Sequence, residues 1–243
     1  MSLTSALYRH STVGFAALLL FAVMAFWPRY LAQPFGKNIR FHVHALAMGT
    51  WCLMLVAQPF LIRVGNRAVH RQLGLLSYVV APAVPLSILI LNHYRTQGSE
   101  LDVFRMFLFS SNIGDAFLFT IAYVLAMKAR RSSPIHARYM VCTGIAFIPA
   151  IFDRVFTFYL LSPASLDMLP KLGQTPMTVL PSYAMVGLIL AGLTGWDWLS
   201  GKGVHAFAWM LGAFGVVYVA PFVLIELPFW KSFLEWYLSM PLS

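Results

Sequence analysis

The 243-residue sequence is 60% hydrophobic and only 10% charged, with a mean hydropathy of +0.75, whereas a soluble globular domain carries about 25% charged and 45–50% apolar residues. That balance excludes an ordinary cytosolic domain, a disordered chain and a collagen-like one, and the two cysteines exclude a disulfide scaffold. The formal net charge of +9 sits between apolar runs rather than on one face, which points away from nucleic acid and toward a lipid bilayer as the partner.

A membrane-spanning helix needs roughly 20 mostly apolar residues. Seven such stretches read as spans, at about 11–27, 41–62, 74–94, 103–127, 139–161, 176–198 and 204–225. The expected fold is therefore all-α: a polytopic seven-transmembrane-helix bundle, 1–243, forming a single integral membrane domain. Joints such as Pro34-Phe35-Gly36 and Gly201-Lys202-Gly203 are too short to hold a soluble domain. The first span resembles a signal peptide in length, with Arg9 before it. The flank Pro28-Arg29-Tyr30 offers no small-residue cleavage site, so an uncleaved anchor is expected. After the last span, 228–239 alternates Trp230, Phe233, Trp236 and Tyr237 with Lys231 and Glu235, the pattern of an interfacial helix.

Orientation follows from the Lys and Arg on alternating sides. Nine of the 17 fall on one side, at Arg9, Arg63, Arg67, Arg71, Lys128, Arg130, Arg131, Arg138 and Lys202. Seven fall on the other, and Arg154 lies inside a span. The two densest short loops agree and place the N-terminus in the cytoplasm and the C-terminus outside. A bacterial cytoplasmic (inner) membrane is the expected location. The segments around His70-Arg71 and His136-Ala-Arg138 echo one another, each followed by a helix bearing a proline, Pro82 or Pro149; a shared basic-loop composition accounts for this more readily than duplication.

Ionisable residues inside a span are the most informative ones, because insertion costs about 2.5–3.5 kcal/mol for a mid-span Asp or Arg. Asp115, Asp153 and Arg154 stand out. Asp115 is about 18 Å along its helix, and Ser111, Asn112 and Asp115 form one polar stripe. Asp153 and Arg154 diverge by about 100°, so one arrangement pairs Arg154 with Asp115 across helices and leaves Asp153 for another partner. Either a register-fixing ion pair or a site or pathway would retain such groups.

Histidines form the second cluster. His42 and His44 open the second span, and Asn92-His93 close the third at the same outer end, where Asp153 and Arg154 also lie. The rings of His42 and His44 diverge by about 200° on a helix, so one of them faces the bundle. His44 and Met48 share a face that continues to Trp51. His44 with His93 could supply axial ligands from two helices to haem b, or bind a transition metal (Fe, Cu or Zn). A membrane-edge histidine is more often an interfacial polar residue. In the basic loops, Arg63, Arg67, His70, Arg71, Arg130, Arg131, His136 and Arg138 read as contacts to anionic lipid headgroups, each Lys or Arg worth about 1 kcal/mol there. His10 is expected at the interface, and His205 has no evident partner.

Several chemistries are excluded. All five lysines lie outside or at the edges of spans, so no mid-membrane lysine can carry a retinal Schiff base. No phosphate-cradling Gly-x-x-x-x-Gly-Lys-Ser/Thr occurs, and no His-Glu-x-x-His, Cys-x-x-Cys or Cys-x-x-Cys-His. Cys52 and Cys142 read as small apolar core residues. Pro82, Pro85, Pro149, Pro181 and Pro221 interrupt spans and free carbonyls, mostly for packing.

The stretch His42-Val-His44-Ala-Leu-Ala-Met48-Gly-Thr-Trp51, then Gln58 to Arg63, then His70-Arg71-Gln-Leu-Gly74, resembles a family of uncharacterised bacterial multi-pass membrane proteins. That family has a His-x-His helix start and a His-Arg-x-Leu-Gly turn, and His136-Ala-Arg138-Tyr-Met140 with Asp153/Arg154 is similar to its later helices. The resemblance covers about half the chain, residues 40–155, and implies the fold but no reaction. A looser likeness is to transmembrane cytochrome b families with two haems. Those place histidine ligands inside helices at both faces, whereas His70 and His136 here read as loop residues.

Three functions follow as expectations. The first is a metal- or haem-binding protein, redox-linked or catalytic, with its site in the outer half of the bilayer. The second is a small transporter or proton-linked carrier using Asp115, Asp153 and Arg154. The third is a non-catalytic subunit of a membrane complex, with a membrane-protein partner or a second copy. The concentration of histidines at spans two and three favours the first.

Overall fold

A computed structural model describes the backbone of residues 3–173, 175–201 and 205–242, and the side chains from His10 onward within those ranges. Arg9 and Lys202, counted in the charge balance, lie outside the described side chains. The chain is an all-α integral membrane protein, and its described residues form seven helices long and apolar enough to span a bilayer.

The first span is α1 (Leu3–Phe26) continued by a π-helical turn, Trp27–Leu31. The second is α2 (Ile39–Arg63) and the third α3 (Arg67–Thr96). Their joint is sharp for local reasons. Gly65 takes a φ of +79°, which ends α2 at no steric cost, and the Asn66 side chain accepts from the Val69 N–H to start α3. The fourth span is α4 (Val103–Lys128), capped by the Asp102 carboxylate on the Arg105 N–H at 2.7 Å.

The fifth span is broken into α5 (Ser133–Ile145), α6 (Ile148–Val155) and a second π-helical turn, Phe156–Leu160. Pro134 opens α5 and Pro149 opens α6, where a missing N–H costs nothing. A short α7 (Pro163–Asp167) and a two-residue hairpin, β1 (Lys171–Leu172) with β2 (Thr175–Pro176), lead to the sixth span, α8 (Val179–Leu199). The seventh is α9 (Ala206–Leu224), and α10 (Pro228–Leu238) follows it.

Two span starts differ from expectation. The third begins at Arg67 rather than 74 and the fifth at Ser133 rather than 139. His70 and His136 therefore lie on helices, not in loops, because the Asn66 cap and the Ser-Pro start extend each helix into the basic segment.

The exterior confirms the solvent. Leu46, Val79, Leu188, Trp209 and Val216 are exposed, as lipid-facing residues should be. Burial is uneven: 56% of the fifth span's most apolar window is buried, against 11% of the first. The core centres on Trp51 of α2, which stands edge-on to Phe119 and Tyr123 of α4 and donates to Thr143 of α5 at 3.3 Å. Phe119 in turn stacks on Phe147 at 5.5 Å.

Candidate functional site

Polar side chains gather at three levels of the bundle. The first is the end that carries the start of α2 and the finish of α3. Here Tyr30, in the π-helical turn after α1, shares a 2.8 Å hydrogen bond with His42. His44 shares one of 3.1 Å with Ser87 of α3, whose hydroxyl donates to the Val84 carbonyl. The Asp153 carboxylate accepts from Thr178 at 2.5 Å. Arg154 donates to the Ala150 carbonyl of its own helix and lies over the Phe26 ring at 4.8 Å. Arg29 lies over Phe158 at 5.1 Å. Thus each π-helical turn supplies part of this layer, in keeping with the tendency of such turns to mark functional sites.

The expected Arg154–Asp115 pair does not form: neither residue has an ion pair within 4.0 Å among the described residues. The charges that Arg154 senses are Asp153, Arg95 and Arg29. Helical spacing says which residues share a face of one helix, but not which helices are neighbours. Arg154 packs toward α1, through Phe26, whereas Asp115 belongs to the α4–α9 contact, where Gly114 admits Val217.

Asp115 defines the second level. Its Oδ1 is buried without a hydrogen-bond partner. Within its electrostatic reach are Tyr183 of α8 and Tyr218 of α9, whose rings stack at 3.9 Å and 9°. Ser111, one turn before Asp115, donates to the Phe107 carbonyl of its own helix at 2.9 Å. The Tyr218 hydroxyl, like Asp115 Oδ1, is buried and unbonded. Asn112 points elsewhere: it donates to Asn92 at 3.1 Å and ties α4 to α3. The tyrosines were invisible as site residues in the sequence, since an aromatic in an apolar span is ordinarily core.

The third level is the opposite end. Arg138 is only 2% exposed, and its Nε and Nη2 bind the two carboxylate oxygens of Asp197 at 2.7 and 2.6 Å. A further N–H reaches the Pro134 carbonyl, and the guanidinium lies 5.9 Å from the Phe207 ring centroid. Arg138 is thus not a headgroup contact. Starting α5 at Ser133 turns it inward, where Asp197 of α8 awaits it. Asp197 was legible in principle, as one of only eight acids in a chain with 17 bases and the last one inside a span.

His136 also turns inward, to the Ala126 carbonyl at 2.9 Å, and His70 buries its Nδ1 without a hydrogen-bond partner. Neither is free for a headgroup through that ring edge. Arg63, Arg67, Arg71, Arg130 and Arg131 are exposed, with Arg130 donating to Tyr78 at 2.6 Å.

His44 and His93 are engaged on different surroundings. His93 is fully buried with both ring nitrogens unbonded, edge-on to Tyr237 of α10 at 5.2 Å. Beside it α10 seats Leu234 against Met106 and Phe109, and Trp230 donates to Ser110 at 2.8 Å. Burial pushes the Tyr237 phenol above its ordinary range. Met48 packs on the apolar core. No group of three His, Cys, Asp or Glu able to hold a metal ion occurs among the described residues. Compared with known proteins, the chain matches no family model, no curated protein and no solved structure.

Proposed function

We propose that the protein is a small proton-linked carrier of the bacterial cytoplasmic membrane, with the start of α2 facing outward and its polar path built from Arg154, Asp153 and Asp115. The observation that carries this reading is Asp115, whose Oδ1 is buried in the bundle with no hydrogen bond. A carboxylate so placed costs free energy that folding alone gives no reason to accept. An aspartate with a carboxylate oxygen left unbonded, within reach of two tyrosines, is suited to exchanging a proton as solute passes. The dense basic loops support the orientation.

Proteoliposomes enclosing a pH-sensitive dye test it, with a panel of neutral, cationic and anionic solutes added outside. The wild type should acidify the lumen in step with one solute class, and Asp115→Asn should abolish this while melting near the wild type. Equal proton flux in Asp115→Asn, or none in the wild type across the panel, refutes the reading.

A second reading, a haem or metal protein, draws on the two unbonded nitrogens of buried His93. It requires bound Fe, Cu or Zn that is lost in His93→Ala; colourless, metal-free folded protein ends it.

A further inference from the structure

Arginines in a membrane protein are normally matched by acids, because an unmatched guanidinium in a low-dielectric setting is costly. Two comparisons within this molecule set the standard. Arg138 has both oxygens of Asp197. Arg105, at the same end as Arg154, has Asp102 at 3.9 Å and donates to the Glu100 carbonyl at 2.9 Å. Arg154 has one backbone carbonyl and a ring face. Its electrostatic neighbours include two more guanidiniums, Arg95 at the finish of α3 and Arg29 in the first π-helical turn. Arg95 and Arg29 also sense each other, and His44 senses both Arg154 and Arg95.

The ring contacts give this cluster a fixed frame. Phe26 lies under Arg154, and Arg29 follows three residues later, held over Phe158 of the turn that succeeds α6. The two arginines are thus clamped reciprocally between the end of the first span and the end of the fifth. Among the described residues, Asp153 is the one acid acting on Arg154, against the guanidiniums of Arg95 and Arg29, so the group carries a surplus of two positive charges. Asp153 is itself engaged by Thr178.

Like charges held together without counter-charges make a receptor for an anion. A surplus of two favours a dianion, and the planar guanidinium fork matches tetrahedral oxyanions and carboxylates through paired hydrogen bonds. We propose that Arg154, Arg95 and Arg29 form a binding site for a dianionic phosphate group, carried by a soluble phosphate compound or by a phospholipid headgroup. The proposal rests on the carrier reading only in making that anion the cargo; the binding itself stands apart.

The test uses the full-length protein in a maltoside detergent, free of phosphate, with sodium phosphate as the probe. Ionic strength is held constant with sodium chloride, and melting is followed by thiol labelling. Phosphate should raise the melting temperature of the wild type and of Arg105→Gln. Arg95→Gln, at an exposed position, should weaken the apparent affinity about ten- to a hundredfold. Arg154→Lys keeps the charge but loses the fork, and should weaken it too.

In a second arm, delipidated protein is reconstituted in phosphatidylcholine with or without phosphatidic acid, and retained lipid is counted by native mass spectrometry. Preferential retention of phosphatidic acid, lost in Arg95→Gln, assigns the headgroup as source. A phosphate response without such retention assigns a soluble compound. If the wild type shows neither, or if Arg95→Gln and Arg154→Lys respond as the wild type does, the site is refuted. Phosphate binding without solute-linked proton flux would overturn the carrier reading and leave the site standing. Flux with no phosphate response does the reverse.

Discussion

Replacing Asp197 by Asn removes one half of the best-formed ion pair in the molecule. The side chains of Arg138 and Asp197 are 3% and 8% exposed, so solvent screens the pair little. Asn keeps the shape but leaves the Arg138 guanidinium buried without a counter-charge. Stranding one partner of a buried pair in this way costs about 3–5 kcal/mol. At about 2–4 °C per kcal/mol for a chain of this size, the melting temperature should fall by about 6–20 °C. Replacing both partners with apolar residues, Arg138→Met with Asp197→Leu, should return the melt to near the wild type or above it, since such replacements are often neutral or stabilising. The molecule carries its own reporters: Cys52 and Cys142 are buried and free, and Cys142 lies one turn beyond Arg138 on α5. A thiol-reactive fluorophore therefore reads unfolding directly. If Asp197→Asn melts within about 2 °C of the wild type, or if the double variant is worse than the single one, the ion pair does not hold α5 to α8 as described.

Gly114→Ala would set a Cβ 2.6 Å from Val217 Cγ1, and separating α4 from α9 should cost about 1–3 kcal/mol in the same melt. Gly192→Ala meets nothing within 4 Å and should be neutral or stabilising by up to about 1 kcal/mol; equal losses in both would defeat the packing account. Thr143→Val leaves the buried Trp51 N–H without its acceptor, a loss of about 1–3 kcal/mol. Leu234→Ala, at a fully buried position in α10, should cost about 2–5 kcal/mol of docking, seen as faster proteolysis at the joint preceding Pro228.

The spans were readable because an apolar run of about 20 residues has one stable solution in lipid. The interfacial tail was readable from its alternating aromatics, which now prove to dock Leu234 and Trp230 on the bundle. Asp115 and Arg154 were conspicuous by what it costs to insert them, and both remain without ion pairs among the described residues. Their expected mutual pairing failed because partner choice depends on helix adjacency, a long-range property. Arg138 was misplaced for a local reason. The Ser132-Ser133-Pro134 start signal was outweighed by the basic composition around it, and with it the inward turn of Arg138 toward Asp197. Arg29 and Arg95 enter the sequence reading only among the seven basic residues of the second side, and nothing in their flanking residues distinguishes them from Arg105.

The break between Ile145 and Ile148 divides the most deeply enclosed rod of the protein into two pieces, each bearing a different charge system. Arg138 belongs to the piece on one side, Asp153 and Arg154 to the piece on the other. An unbroken helix of this length would act as a rigid lever, so that a tilt at one membrane face displaced the opposite face by its full arm. At the joint Pro149 supplies no N–H, so the backbone ladder is thinnest there, and each piece is tied by the partners of its own end, Asp197 for one and Thr178 for the other.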